Sequence, residues 1–205
     1  TDGQIVLSPS LFALGVLPAV DVGQSVSRVG GKAQRASYRA VAGDLKLGYA
    51  QFEELETFAR FGARLDADTR KTLEHGRRIR ACLKQAELAP VSVAAQITVL
   101  LALGAGLFDR VPLERMTAAE GAVQAAVARI PDALLARFEA TDRLSEAERE
   151  AIIDIAREAL EQHLPEGASG AHAGTDADAA LERPHEPHGE TPLAPAAAKP
   201  AADEP

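Results

Sequence analysis

Arg28 has both the chemistry and the surroundings of a residue that binds a phosphate group. Its guanidinium stays charged at any relevant pH, and its planar fork matches phosphate oxygens in a bidentate way. Ser25 and Ser27 precede it at alternate positions, and Gly30 and Gly31 follow it. When a nucleotide is hydrolysed, a neighbouring guanidinium can stabilise the negative charge that shifts among the γ-phosphate oxygens. The alternative is a surface salt bridge, which is the commoner role of an arginine taken in isolation.

A strand and a sharp turn are predicted to position this arginine. The apolar run over residues 16–22 indicates the strand, and Pro18 suits its beginning because proline cannot donate to a central sheet ladder. Arg28 then lies at the end of the strand, where α/β sheets place their ligand chemistry. The glycine pair lets the backbone turn before the helical sequence that starts near Lys32. Residues 4–7 are a second, smaller strand candidate.

The region from residue 32 to residue 164 is predicted to be an antiparallel helical bundle. Apolar residues recur there at three- and four-residue intervals, which is typical of helices with one buried face. The first such stripe consists of Tyr38, Val41, Leu45, Tyr49, Phe52, Leu55, Phe58 and Ala59. Asp66, Ser92 and Ser145 are predicted N-caps of later helices, the last in a Ser-x-x-Glu capping box. Pro112 suits the first residue of another helix.

Composition argues against several classes of function. The net charge of −8 is unlike a general nucleic-acid binder, which would carry a basic patch. No run of 18 apolar residues exists, so the apolar stretch 97–103 indicates a buried helix rather than a membrane span. Cys82 is the single cysteine and cannot form an intrachain disulfide, which fits a reducing compartment. No metal site is expected, because the histidines near the C-terminus lack a fixed ligand geometry.

Two familiar catalytic motifs are incomplete. Residues 23–27 begin like a nucleophile elbow, Gly-x-Ser-x-Gly, but Ser27 stands at the fifth place. His75 falls in a predicted helix, and the sequence shows no evident partner for it. A Walker A loop is also missing, because Val26 stands where its first glycine belongs and Ala33 where it needs Ser or Thr.

Both ends of the chain differ from an ordinary domain. Residues 165–205 are rich in Ala, Pro and acidic side chains, and we predict that this tail is disordered because it cannot bury enough apolar surface. At the other end, Thr1 begins a stretch with neither an initiating Met nor a signal pattern. We therefore expect a C-terminal fragment whose start cuts through a domain.

Residues 18–27, Pro-Ala-Val-Asp-Val-Gly-Gln-Ser-Val-Ser, resemble the signature of the nucleotide-binding subunits of rotary ATPases. That signature reads Pro, a small residue, an aliphatic residue, Asp or Asn, three free positions and Ser-x-Ser. The continuation Arg-Val-Gly-Gly-Lys-Ala-Gln at residues 28–34 resembles the alpha subunit of F-type ATP synthase rather than its catalytic beta partner. Residues 1–5, 50–56 and 58–62 resemble further alpha-subunit segments. The resemblance covers roughly residues 1–120 and suggests a divergent bacterial version.

The resemblance implies a fold and an assembly. Residues 1–31 would end a RecA-like α/β nucleotide-binding domain, residues 32–164 would form the C-terminal helical bundle, and residues 165–205 would follow as the tail. The whole would be a regulatory, non-catalytic alpha subunit that alternates with beta subunits around a gamma shaft, beside a delta subunit and peripheral stalk. It would couple H⁺ or Na⁺ transport to ATP synthesis or hydrolysis. The complex would be peripheral on the cytoplasmic face of a bacterial inner membrane and meet the membrane only as an assembly.

The resemblance also assigns roles to the residues of the signature. Arg28 would reach across the subunit boundary into a catalytic site that belongs to beta, and Ser25 matches a position required for activity. The hydroxyls of Ser25 and Ser27 are predicted to hold the loop that aims Arg28, and Ser27 is also a predicted nucleotide-binding residue.

A second, non-catalytic nucleotide site is implied by two other positions. Pro18 and Gln85 match the adenine pocket of the alpha subunit, with ATP or ADP and Mg²⁺ as the cofactor. The phosphate loop and the metal ligand would lie upstream of Thr1. Leu17 stands where the family has arginine and Glu87 where it has glutamine, so loop residues without a ligand are the alternative.

Two other interpretations of the whole chain stay open. The related export-associated ATPases share Ser-x-Ser-Arg, although the continuation after Arg28 disfavours them. From a different class, the chain could be a helical interaction module without catalysis.

Overall fold

The computed structural model describes residues 2–59, 65–139 and 143–165. All of them lie in the first of two compact units, Thr1–Gly170. The second unit, Ala171–Pro205, is outside the described residues, and so is the prediction of a disordered tail beyond residue 165.

The described residues form a mainly helical structure with one small sheet. In chain order the elements are β1 (Gly3–Leu7), α1 (Pro9–Ala13), β2 (Val20–Ser27), α2 (Gly30–Ala33), α3 (Ala36–Ala59), α4 (Ala67–Cys82), α5 (Val93–Gly104), α6 (Met116–Ala126), α7 (Asp132–Glu139) and α8 (Glu146–Leu160). Short 3-10 turns cover Leu113–Arg115, Val127–Arg129 and Glu161–His163. The predicted fold class, a helical bundle preceded by short strands, is confirmed. None of these helices combines the length and apolar character that a membrane crossing requires.

Polar side chains begin the helices where the sequence predicted them. The Asp66 carboxylate accepts a hydrogen bond from Thr69 N at 2.7 Å, which caps α4 and lowers the pKa of Asp66. Ser92 caps α5 in the same way, and Ser145 forms a complete capping box at the start of α8. Pro112 was predicted to be the first residue of a helix, but the helical turn begins one residue later, at Leu113. It precedes the 3-10 turn before α6 instead of occupying a helical position.

The helix α5 is the centre of the bundle. It packs against α3, α6, α7 and α8, and its side chains belong to both large apolar clusters of the described residues. Ile97 and Leu101 face one cluster, while Val99 and Leu103 face the other. A helix that is covered on several sides must be apolar around most of its circumference, which explains the apolar stretch over residues 97–103. The one polar residue in that stretch, Thr98, donates its hydroxyl to Ala94 O.

The apolar stripe of α3 faces the core except at one position near its end. Val41, Leu45, Tyr49 and Phe52 are buried against neighbouring helices, as predicted. Phe58 was predicted to share that face, but it is 59% exposed. Leu55 and Ala59 are partly buried against the core, so Phe58 alone departs from the predicted stripe.

The two strands pair antiparallel, and the second is displaced from its predicted position. We expected residues 16–22, but β2 runs over Val20–Ser27 because Val20 N donates to Pro18 O at 2.8 Å and closes a turn there. Val16 packs instead in a small cluster with Leu11 and Ala19. Pro18 precedes β2 and does not begin it. The strand β1 matches its predicted position closely.

Candidate functional site

The strand β2 contains a wide bulge immediately before its end. Gln4 pairs with Val26 and Val6 pairs with Asp21, so four residues of β2 oppose the single residue Ile5 of β1. Such a bulge leaves part of the ladder unpaired and must be held by other hydrogen bonds.

Asp21 and Ser25 hold the bulge. The two carboxylate oxygens of Asp21 accept hydrogen bonds from Gln24 N and Gln24 Nε2, each at 2.8 Å. Ser25 Oγ donates to Asp21 O at 2.5 Å and accepts from Val6 N at 3.0 Å. A β2 side chain therefore supplies the partner of a β1 amide, and the Ser25 hydroxyl is engaged with backbone groups on both sides. That arrangement is structural and unlike the one an activated nucleophile needs.

Ser27 and Arg28 follow the bulge at the end of β2. Ser27 Oγ accepts a hydrogen bond from Gly30 N at 2.9 Å, and a Cβ at position 30 would lie only 2.8 Å from that oxygen. Arg28 N donates to Asp2 O at 2.9 Å, so the backbone of Arg28 is tied to the beginning of β1. The predicted role of Ser27 in holding the turn beside Arg28 agrees with this geometry.

The Arg28 side chain projects into solvent. Its Nη1 lies 3.4 Å from Asp2 Oδ1, and the two side chains are 74% and 86% exposed. An exposed ion pair of this length contributes little stability, since water screens it. The fixed backbone and the exposed guanidinium together suit an arginine that meets an anion from outside the chain.

Pro18 and Gln85 lie in one open groove. Gln85 N donates to Leu17 O at 2.9 Å, which joins the segment before β2 to the loop after α4. The groove has a volume of about 510 Å³ and is lined by Leu17, Pro18, Gln85, Ala86, Glu87, Leu88, Ala89 and Pro90. The structure thus brings together two residues that the sequence placed far apart, and it puts both departures, Leu17 and Glu87, in the same groove.

The chemistry of the groove fits a base and not a phosphate chain. Apolar side chains form much of its wall, and the Gln85 amide can hydrogen-bond, although its Nε2 donates to Ala89 O at 2.8 Å. Among the residues that line it, the only charged one is Glu87, which would repel phosphate. The residues that line the groove therefore offer no positively charged group to a phosphate. No cluster of three or more His, Cys, Asp or Glu side chains suited to a metal occurs in the described ranges.

The groove and Arg28 are separate places. Pro18 precedes β2 and Arg28 follows it, and the ends of β2 pair with the two ends of β1, which lie about 13 Å apart. Ser27, predicted to bind nucleotide, lies at the Arg28 end and is not among the groove residues.

The sequence did not reveal the ionic network between α3 and α4. Arg80 donates through both terminal nitrogens to the Glu56 carboxylate at 3.0 and 2.9 Å, and through Nε to Tyr49 Oη at 3.1 Å. Its guanidinium also lies 4.4 Å from the centre of the Phe52 ring. Glu53 lies on α3, and its pKa is raised because of burial and the nearby charge of Asp21. No local pattern links these positions, since each contact joins different elements.

His75 has a partner that the sequence did not suggest. Its Nδ1 lies 2.7 Å from Asp109 Oδ1, a partner that is 34 residues away in the sequence. The contact joins α4 to the loop after α5, and the hydrogen bond raises the pKa of His75. His75 therefore connects two parts of the bundle through an ion pair with Asp109. It is not the partner of the Ser25 hydroxyl, which is bonded to Asp21 O and Val6 N.

Comparisons with known proteins identify the family of this chain. The family model described as ATP synthase alpha/beta chain, C terminal domain, matches residues 34–159. A protein named ATP synthase subunit alpha 2 from Albidiferax ferrireducens is 74% identical over 80% of this chain and 31% of its own length. ATP synthase subunit alpha 1 of a Marinomonas species is 68% identical over 78% of this chain and 32% of its own length. ATP synthase subunit alpha 2 of Syntrophotalea carbinolica is 51% identical over 87% of this chain and 34% of its own length. The chain spans about a third of the length of these relatives.

Proposed function

The chain belongs to the ATP synthase alpha/beta family, and from that premise we propose that it is the C-terminal part of an alpha subunit whose Arg28 completes a catalytic site on a neighbouring subunit. The alternatives of a free-standing interaction module and an export-associated ATPase have less support, because the similar proteins are named ATP synthase subunit alpha. The matched residues 34–159 lie inside the predicted bundle, 32–164.

The observation that carries the proposal is the combination of a fixed backbone and an exposed guanidinium at Arg28. Its amide is bonded to Asp2 O, whereas its side chain is 74% exposed and makes only a long pair with Asp2. An arginine directed into its own chain would be paired and buried. Presented to a neighbour, it can meet the γ-phosphate of a bound nucleotide with two parallel hydrogen bonds and stabilise charge in the transition state.

A second part of the proposal concerns the groove. Pro18 and Gln85 would contact the adenine base of ATP or ADP, while the upstream part of a full-length subunit would supply the phosphate and Mg²⁺ contacts. Bound Mg²⁺ would neutralise phosphate charge there. The role of this chain is to cover and orient the base with an apolar wall and one amide.

The assembly follows from what Arg28 requires. A residue that acts in trans needs a neighbouring subunit, so we propose an alternating ring with beta subunits around a gamma shaft, joined to a delta subunit and a peripheral stalk. In that setting the subunit would be regulatory and non-catalytic, and the complex would couple H⁺ or Na⁺ movement to ATP synthesis or hydrolysis. The ring would sit peripherally at the cytoplasmic face of a bacterial inner membrane.

The experiment uses the full-length subunit assembled with its partners. Steady-state ATP hydrolysis is measured for the wild type, for Arg28→Ala and for Arg28→Lys, with Arg77→Ala as a control. Arg77 is also a surface arginine in an ion pair, with Glu74. We expect kcat to fall about 10³-fold or more in Arg28→Ala, because arginine fingers contribute 10³ to 10⁵ in rate.

Arg28→Lys should recover little, since an ammonium cannot reproduce the planar fork. Assembly of each complex is checked by size-exclusion chromatography. Wild-type turnover in an intact Arg28→Ala complex would make Arg28 a surface arginine and overturn the proposal.

A further inference from the structure

Asp21 lies at the beginning of the bulge in β2, and Arg28 follows the end of that strand. We infer that Asp21 is a positioning residue for Arg28, acting through the bulge of β2 and not through contact with nucleotide. The inference rests on the proposed function of Arg28. It adds Asp21, which lies at the opposite end of the bulge from Arg28.

The bulge sets the register of everything that follows it. Before the bulge, Asp21 pairs with Val6, and after it Val26 and Ser27 pair with Gln4 and Gly3. If one residue of the bulge entered the paired ladder instead, the residues after it, including Arg28, would shift along β1 by about 3.3 Å. It would also turn successive side chains to the other face, because side chains alternate along a strand. The position of the guanidinium therefore depends on the size of the bulge.

Asp21 is the side chain that closes the bulge on itself. Its carboxylate accepts from the backbone and the side chain of Gln24, and its own carbonyl accepts from Ser25 Oγ. Asp side chains that accept from a following amide stabilise turns in this manner. Of the five bonds that hold the bulge, three end on Asp21, two at its carboxylate and one at its backbone carbonyl. The other two join β1 to the bulge: Val6 N donates to Ser25 Oγ, and Gln4 Nε2 donates to Gln24 O at 3.4 Å.

The bulge also lies against the helical bundle. A Cβ at Gly23 would lie 3.4 Å from Asp21 Oδ1 and 3.8 Å from Glu53 Oε2 of α3. The carboxylates of Asp21 and Glu53 therefore both lie close to Gly23, while Gly23 and Gln24 themselves are exposed. Because packing does not enclose these two residues, the shape of the bulge depends on its own hydrogen bonds, of which Asp21 accepts the largest share.

The test is a double-mutant cycle in the assembled, full-length complex. ATP hydrolysis is measured for the wild type, Asp21→Ala, Arg28→Ala and the double variant. We expect Asp21→Ala to lower kcat about 10²-fold with little change in KM, because a misplacement of about 1 Å can have that effect. In the Arg28→Ala background the same change should have no further effect, since Asp21 would act through an arginine that is absent.

Two further variants refine the test. Asp21→Asn keeps an acceptor for Gln24 N, and the signature permits Asn at this place, so its kcat should stay within about threefold of wild type. Asp44→Ala, at an exposed position on α3, is the control and should leave kcat unchanged. If the Asp21→Ala complex does not assemble, Asp21→Ser goes through the same cycle, because a hydroxyl accepts more weakly and from a shorter side chain.

The outcomes separate the inference from the proposed function. If Arg28→Ala lowers kcat about 10³-fold while Asp21→Ala leaves it within twofold of wild type, the inference alone is overturned. Equal falls from Asp21→Ala with and without Arg28 would show an independent effect and would also overturn it. If neither single variant changes kcat in intact complexes, the proposed function itself fails.

Discussion

Gly76 of α4 lies directly against the ring of Phe52 of α3. A Cβ at position 76 would come within 2.1 Å of Phe52 Cγ, far inside van der Waals contact. Phe52 is fully buried, and the Arg80 guanidinium covers its ring. The close approach of the two helices therefore depends on the absence of a side chain at position 76.

We predict that Gly76→Ala destabilises the chain by about 3 kcal/mol, because Phe52 is packed on all sides and cannot move away from the added methyl group. Gly43→Ala in α3 is the matched control. A Cβ there meets nothing within 4 Å, so helix propensity should stabilise the chain by about 1 kcal/mol. Urea denaturation followed by circular dichroism gives both values. Similar stabilities of the two variants would contradict the close packing at Gly76.

The pair of His75 and Asp109 predicts a pH dependence of stability. The hydrogen bond to Asp109 raises the pKa of His75 above its ordinary value of 6.5, against an opposing effect of burial and of Arg78. A raised histidine pKa stabilises the fold below about 6.5, and this contribution is lost as the pH rises through the raised pKa. Because His75 is partly exposed, we expect no more than about 1 kcal/mol.

Asp109→Asn removes the charge that favours protonated His75, so the variant should lose most of this pH dependence. Unfolding free energies at pH 6 and pH 8 provide the measurement. Asp44→Asn, at an exposed position on α3, is the control and should keep the wild-type difference. A full pH dependence in Asp109→Asn would mean that His75 does not respond to Asp109.

Glu120 should act on stability at a lower pH. It lines a small cavity of about 190 Å³ with Cys82, Gln96 and Gln124, and burial raises its pKa to about 6. For an acid with a raised pKa, the stabilising contribution is present below about 4.5 and is lost as the pH rises through about 6. The charged form at neutral pH is therefore the less stable one.

We predict that Glu120→Gln is more stable than the wild type by about 1 kcal/mol at pH 7.5, a value reduced for partial solvent exposure. At pH 4.5 the two should be nearly equal, because Glu120 is then mostly protonated and Gln keeps a hydrogen-bonding group near Gln124. Denaturation curves at the two pH values test this, with the exposed Glu114→Gln as control. Equal differences at both pH values would exclude titration of Glu120 as the cause.

Elements that depend on local chemistry were predicted well, and the predictions that were wrong have physical causes. Asp66, Ser92 and Ser145 mark helix starts because an N-cap needs only its own side chain and the next amides. The strand predicted at residues 16–22 was wrong because an apolar run does not say whether it is paired. Val16 is buried against Leu11 and Ala19 outside the strand, while the polar end of β2 is paired with β1.

The candidate site also contains residues that the sequence identified and contacts that it could not show. The signature identified Arg28, Ser25 and Ser27 from their order alone, and their roles stay predictions until the variants are measured. The domain boundaries at residues 31 and 164 also stay predictions. The partner of His75 could not be read from the sequence, since Asp109 belongs to another element and has no fixed spacing from it.

By itself, the sequence determined the helical class, the starts of three helices, the family and the arginine at the end of the signature. Each of these depends on residue types at fixed, short spacings. The tertiary structure alone decided that Asp21 and Ser25 close a bulge, that Gln85 reaches Leu17, and that Gly76 admits the Phe52 ring. These contacts join separate elements, and they exist only when the packing of the whole bundle fixes where each element lies.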